Sequence, residues 1–351
     1  MRLRWPTHRG ILRRLAVLSL FAAWIGAATL LETRRLRATL PGGTRPATNV
    51  DAGQLVEDVR ILSAPDMEGR RTGTAGNARA RAYIVQRLRD EGAAPLGGAY
   101  EHPFDFRHTS VRAIWRRDRP VRMDMHGTNV LALIPGTAPG PALVVSAHYD
   151  HLGIRGDVLY PGADDNASGV AALLAVARTL RQAPPRHPVV LAVFDAEELG
   201  LRGARAFVAA PPASTPTLGM DLNLDMLSRS DGSDLTVSGV GPQPWLRSDV
   251  EAEAALSPIH VHLGHDRPWY RAGLVENWKD GSDHGPFADA GIPFLYLGVE
   301  DHRDYHAPTD TFERIDRPFY ENVARFVASL VNRLDRDLDT IARKPTIVRR
   351  D

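Results

Sequence analysis

Four short apolar runs recur along this chain, at 141–147, 188–194, 218–224 and 292–297, each of a length and composition suited to a strand buried on both faces. Between the first two, Val170, Leu173, Leu174, Ala177 and Leu180 fall at helical spacing. Buried strands alternating with helices imply an α/β chain built on a largely parallel sheet. A further strand is expected at 129–134. Helices are expected at 51–62, around Ala80, Ile84 and Leu88 up to Gly92, and along Phe319, Val323, Val327, Leu330 and Leu334. Phe104, Phe106 and Trp115, between His102 and Thr128, suggest edge strands in a hairpin.

The residues just past each run matter more than the runs themselves. The first run delivers His148-Tyr149-Asp150-His151, the second Asp195-Ala196-Glu197-Glu198 and the third Asp225-Met226, while Tyr305-His306 lies a few residues beyond the last. Asp164-Asp165-Asn166 precedes the helical stretch, which places Asp165 at a helix start where backbone N–H groups can hold a carboxylate. Open α/β sheets put their sites at the carboxyl ends of strands. Imidazoles and carboxylates suit first-row cations, and two cations about 3.5–4 Å apart need one carboxylate that reaches both. Asp165 is the candidate bridge. His148, Asp225 and His306 are candidate ligands, and Asp150 would accept the second imidazole N–H of His148 and fix its tautomer. Adjacent glutamates on an extended chain point apart, so one of Glu197 and Glu198 can bind metal while the other serves as general base.

Other chemistries find no support. There is no cysteine, no His-Glu-x-x-His helix and no Gly-x-Ser-x-Gly elbow, and the contiguous Ser282, Asp283 and His284 make a poor triad. Asn166-Ala167-Ser168 matches a glycosylation acceptor, but a helix start beside a metal site is a poor place for a glycan. His260, His262 and His265 read as partly exposed strand histidines. His151 fits either a place behind the first ligand or the surface. Trp269, Tyr270 and Trp278 lie where a substrate-pocket wall could form, or pack as ordinary aromatics.

Together, His148-Tyr149-Asp150, Gly162-Ala163-Asp164-Asp165-Asn166-Ala167-Ser168-Gly169, Glu197-Glu198-Leu199-Gly200, Asn223-Leu224-Asp225-Met226 and Tyr305-His306 resemble the co-catalytic dizinc aminopeptidases. The resemblance extends from Asp66-Met67-Glu68-Gly69-Arg70 to Thr309-Asp310-Thr311, roughly residues 50 to 335. It implies a phosphorylase/aminopeptidase-like three-layer sandwich, a mixed, largely parallel sheet with helices on both faces. It also implies two zinc ions, with Co2+ or Mn2+ fitting the same atoms. His148 and Asp225 would hold one ion and Glu198 and His306 the other, with Asp165 bridging, Glu197 the general base and Tyr305 a donor to the developing oxyanion. The implied substrates are peptides with a free N-terminus. A single-zinc glutaminyl cyclase and a catalytically silent binding module share the fold and stand as alternatives, and Asp164 carries no implied role.

The 351 residues, 43% hydrophobic and 24% charged, suffice for one domain at 51–340, followed by a tail at 341–351. The stretches around His148 are too short for an inserted domain. A net charge of +1 with dispersed arginines gives no reason to expect a nucleic-acid partner, and nothing sets the oligomeric state. At the N-terminus, Arg2, Arg4, Arg9, Arg13 and Arg14 precede an uncharged run of 17 residues, 15–31. That is longer than a signal peptide's apolar core of about 7–15 residues and near the minimum for crossing about 30 Å of hydrocarbon. Residues 1–37 are therefore expected to export the chain and anchor it in the membrane with the catalytic domain on the outer side, or to release it if cleaved. Residues 38–50, with Pro41, Gly42, Gly43 and Pro46, read as a linker.

Overall fold

The computed structural model describes residues 38–40, 50–109, 122–230, 232–266 and 277–344, so residues 1–37, on which the expectation of export and anchoring rests, lie outside the described residues. Among the described residues, no helix is long and apolar enough to cross a membrane.

The four apolar runs form adjacent parallel strands in the order Phe294–Gly298, Leu218–Leu224, Ala142–His148, Val189–Phe194. Their side chains alternate between two cores, as the pleat requires. Leu143, Val145 and Ala147, with Leu191 and Val193, face the larger one, shared with the helices Ala52–Leu62, Ala75–Asp90, Gly169–Gln182 and Arg317–Ile341. Ala142 and Val144, with Val190, Ala192 and Phe194, face the smaller one, closed by Phe207 of Arg202–Ala209 and Phe287 of His284–Asp289. Helices on both faces of a mostly parallel sheet are the three layers expected.

Antiparallel strands complete both sides of this core. Arg122–Ile134 pairs antiparallel with Val189–Phe194 and with Glu101–Thr109, giving the anticipated hairpin; Trp115 lies outside the described residues. On the other side, Asp234–Ser238 runs antiparallel to Phe294–Gly298 and parallel to His260–Leu263. Ala38–Leu40 adds an antiparallel edge strand beyond that, so part of the expected linker belongs to the sheet. Helix starts follow local chemistry. Asp51 accepts the Gln54 N–H at 3.0 Å, and Asp316 caps the long C-terminal helix by accepting from Phe319. Asp165 departs from expectation. The regular helix begins only at Gly169, and Asp165 sits in the irregular turn before it at φ −102°, ψ 95°. Asn166 is wholly buried, accepting from Gly169 N and Met226 N and donating to Leu224 O, which leaves no place for a glycan.

Candidate metal centre

Strand ends and the loops beyond them bring the predicted residues to one spot. His148 closes its strand, and its Nε2 lies 3.2 Å from Asp225 Oδ1 and 3.5 Å from Asp165 Oδ1. The other Asp165 oxygen, Oδ2, lies 3.1 Å from His306 Nε2, which is 3.2 Å from Glu198 Oε1. Two donor groups thus meet at one carboxylate, each taking a different oxygen of it. Glu197 stands beside them, its Oε2 4.0 Å from His148 Nε2.

Four loop residues here take left-handed backbone conformations that L side chains avoid: Ala196 before the glutamates, Leu201 after them, Met226 after Asp225, and His306 itself. Strain of this kind persists where surrounding structure over-determines the chain. Part of that structure is Arg70, fully buried, whose guanidinium donates to the carbonyls of Tyr149, Leu62, Pro161 and Gly162 at 2.7–2.8 Å. Asp310 supplies another part: its carboxylate accepts the N–H groups of Asp164 and Asp165, each at 3.0 Å, and so sets where the shared carboxylate sits. Asp164, for which the sequence implies no role, accepts from Ser228 N at 2.7 Å and pairs with His302 at 3.0 Å, a tie beneath the site.

Asp150 differs from expectation. The His148 Nδ1–H meets the main-chain carbonyl of Asp150 at 3.2 Å, with the carboxylate 3.8 Å away. That carboxylate instead accepts from Glu197 N at 3.0 Å and Glu198 N at 3.3 Å, so it holds the glutamate loop and not the imidazole. Tyr305 stacks on His306, ring centroids 4.0 Å apart, and is partly exposed above the centre. His151 is wholly buried, with Nδ1 2.9 Å from Glu198 Oε1. Asp283, also buried, has neither oxygen hydrogen-bonded. Trp278 packs on His265 at 3.9 Å and edge-on to Tyr296, while Trp269 and Tyr270 lie outside the described residues. His260 and His262 pair with Asp234 of the neighbouring parallel strand.

Electrostatics follow from crowding carboxylates in a dry place. Burial pushes Glu197 well above the usual carboxylate range, with Asp283, Glu198 and Asp225 adding to the effect against the pull of His148. Burial likewise lifts Asp283 to about 7. Burial would depress His148, but Asp225 and Glu197 outweigh it and raise the ring well above its ordinary value. Glu198 moves the other way, since His151 and His306 overcome its burial and hold it low.

The donors fit first-row cations. Ligand bonds of about 2.0–2.2 Å put the corners of a tetrahedron about 3.3–3.6 Å apart, and the separations here, 3.1–3.5 Å in the groups just described, are close to that. Asp165 Oδ2 and Glu198 Oε1 are buried without hydrogen-bond partners, as oxygens awaiting a cation would be. Among the described residues, His148, Asp165 and Asp225 form one possible metal-holding group, and His151, Asp165 and Glu198 another.

Residues 129–331 match the model of peptidase family M28. Aminopeptidase YwaD of Bacillus subtilis (strain 168) is 30% identical over 199 residues, which is 53% of this chain and 40% of that protein, so the chain spans less than half the length of this relative. Among solved structures, BSAP, a zinc aminopeptidase from Bacillus subtilis, superposes with a TM-score of 0.63 at 16% identity, over 82% of this chain and 95% of that one. Glutaminyl cyclase of Porphyromonas gingivalis superposes with a TM-score of 0.59 at 19% identity, over 80% and 98%. At these identities the structural likeness speaks for the fold alone.

Proposed function

The chain belongs to peptidase family M28, and from that premise we propose that it is a dinuclear aminopeptidase removing the N-terminal residue of peptides. The observation that carries this reading is Asp165, which offers Oδ1 to the group with His148 and Asp225 and Oδ2 to the group with Glu198 and His306. Zinc, or another first-row divalent cation, held at this centre would supply Lewis-acid polarisation of the scissile carbonyl and a more acidic attacking water.

Glu197 does the proton work. Its carboxylate, with Oε2 4.0 Å from His148 Nε2, stands beside the centre without belonging to either donor group, placed to take the proton from the attacking water and return it to the departing amine. Asp150, by accepting from both glutamate N–H groups, keeps Glu197 facing the centre while Glu198 turns to the second group. Tyr305, above His306, donates to the oxyanion as the tetrahedral intermediate forms, a contribution of about 3–4 kcal/mol in comparable sites. A substrate's free α-amino group would sit among the carboxylates gathered at the centre, which favours exopeptidase action. Residues 1–37 would export this domain and anchor it on the outer side of the membrane.

The test uses the purified full chain. Metal per chain is measured by elemental analysis, and release of the N-terminal residue from peptide amides is followed before and after chelation. Two equivalents of metal with chelator-sensitive release are expected. Glu197→Gln should keep both metals and lose at least about a thousandfold in kcat. Wild-type-like turnover in that variant sinks the mechanism. One metal with cyclisation of N-terminal glutamine would replace it with acyl transfer, and no metal with no turnover would favour a binding module.

A further inference from the structure

We infer that His151 is a fourth donor to the Asp165–Glu198–His306 group, so that this half of the centre is closed while the His148–Asp165–Asp225 half keeps an open position. The inference rests on the two-cation reading and goes beyond it by making the halves inequivalent.

Three buried atoms without hydrogen-bond partners converge here: His151 Nδ1, Asp165 Oδ2 and Glu198 Oε1. Nδ1 lies 2.9 Å from Glu198 Oε1 and 3.6 Å from Asp165 Oδ2, close approaches that lack the alignment of hydrogen bonds. His306 Nε2 completes the group at 3.1 and 3.2 Å from the same two oxygens. Four of the six edges of this group, at 2.9–3.6 Å, thus lie near those of a tetrahedron with bonds of about 2.0–2.2 Å. A buried acceptor without a hydrogen-bond partner, the condition of Asp165 Oδ2 and Glu198 Oε1, costs about 1–3 kcal/mol. One cation would satisfy all three atoms at once.

The ring's orientation is set by packing. A Cβ at Gly162 would lie 2.6 Å from His151 Cδ2, so only glycine leaves room for the imidazole, and φ of +61° suits glycine there. The carbonyl of this same Gly162 is held by Arg70 at 2.8 Å. The other half has no counterpart among the described residues. His148 Nδ1 is turned to the Asp150 carbonyl, and Glu197 Oε2, 4.0 Å from His148 Nε2, lies beyond an edge length. Four protein donors characterise closed structural sites, and three with one position open characterise catalytic ones. The His151 half therefore takes its cation first and holds it tighter.

Metal-free full-length chain is titrated with Zn2+ by calorimetry, and with Co2+ under proton NMR to count exchangeable imidazole N–H signals shifted by the paramagnetic ion. Wild type should show two binding steps of distinct affinity and shifted signals from three imidazoles, His148, His151 and His306. His151→Gln should weaken the tighter step by at least about 10–100-fold, lose one imidazole signal and leave the weaker step in place. His151→Asp, which restores an oxygen donor, should recover much of the tighter step and serves if the glutamine variant fails to fold. Retention of both affinities and of all three signals in a folded variant overturns the inference. A wild type that takes up only one ion overturns the two-cation reading itself, whatever His151 does.

Discussion

Arg70→Lys tests whether the ligand loops are held by a buried guanidinium. The arginine donates to four main-chain carbonyls at 2.7–2.8 Å, from Leu62 on one side to Tyr149, Pro161 and Gly162 on the other. Burial lowers its pKa to about 10, with Asp165 and Asp310 opposing, so it carries its charge at neutral pH. An ammonium concentrates its donors on one shorter-reaching atom and cannot span a fork of acceptors. It would keep about two of the four bonds, and each carbonyl left dry costs about 1–3 kcal/mol, toward the lower end because a carbonyl has a second lone pair. The expected loss is therefore about 3 kcal/mol. Urea unfolding with chelator present in both proteins isolates this term from metal binding, which would otherwise stabilise the native state by mass action. A loss below about 1 kcal/mol would show that the carbonyls find other partners and that Arg70 is not what joins these loops.

Two further outcomes are expected. Asp310→Asn replaces one of two acceptor oxygens with a donor facing the N–H groups of Asp164 and Asp165; zinc affinity, measured by chelator competition, should fall by about 10–100-fold, and an unchanged affinity would remove Asp310 from the machinery that places Asp165. Burial keeps His284 neutral down to a pKa of about 4, against 6.5 in an unfolded chain. The unfolded chain therefore binds the proton first. Stability is full above pH 6.5 and declines as the pH falls toward 4, by about 3 kcal/mol from this group at 1.36 kcal/mol per unit. His284→Gln, which can still donate to the Trp278 carbonyl, should flatten that limb of the denaturation profile, and parallel profiles would refute the assignment.

Much of this architecture is legible in the sequence because it depends on short-range pattern. The four core strands stand out as apolar runs, and imidazoles and carboxylates past their ends are hard to mistake. The features that escape such a reading depend on the path of a loop. Asp150 stands two residues from His148, which suggests a carboxylate partner, yet the turn presents its carbonyl to the ring and its side chain to the glutamates. His151 can face inward or outward with equal ease on sequence alone. Arg70 lies inside a resembling motif, but nothing in an arginine's neighbours along the chain says that it will be buried among carbonyls. The edge strand at Ala38–Leu40 reads as linker because an edge needs only backbone hydrogen bonds and leaves no apolar signature.

The hydrogen bond that orients His148 ends on main chain, and this bears on how such a site can drift over evolutionary time. A side-chain partner can be deleted by one codon change, whereas a carbonyl survives every substitution at its own position. The tautomer that presents Nε2 is therefore insulated from mutation at residue 150. The burden of such a change falls on the glutamate loop, whose two N–H groups would lose their acceptor. Variation at Asp150 should then alter how protons are handled before it alters whether His148 can bind.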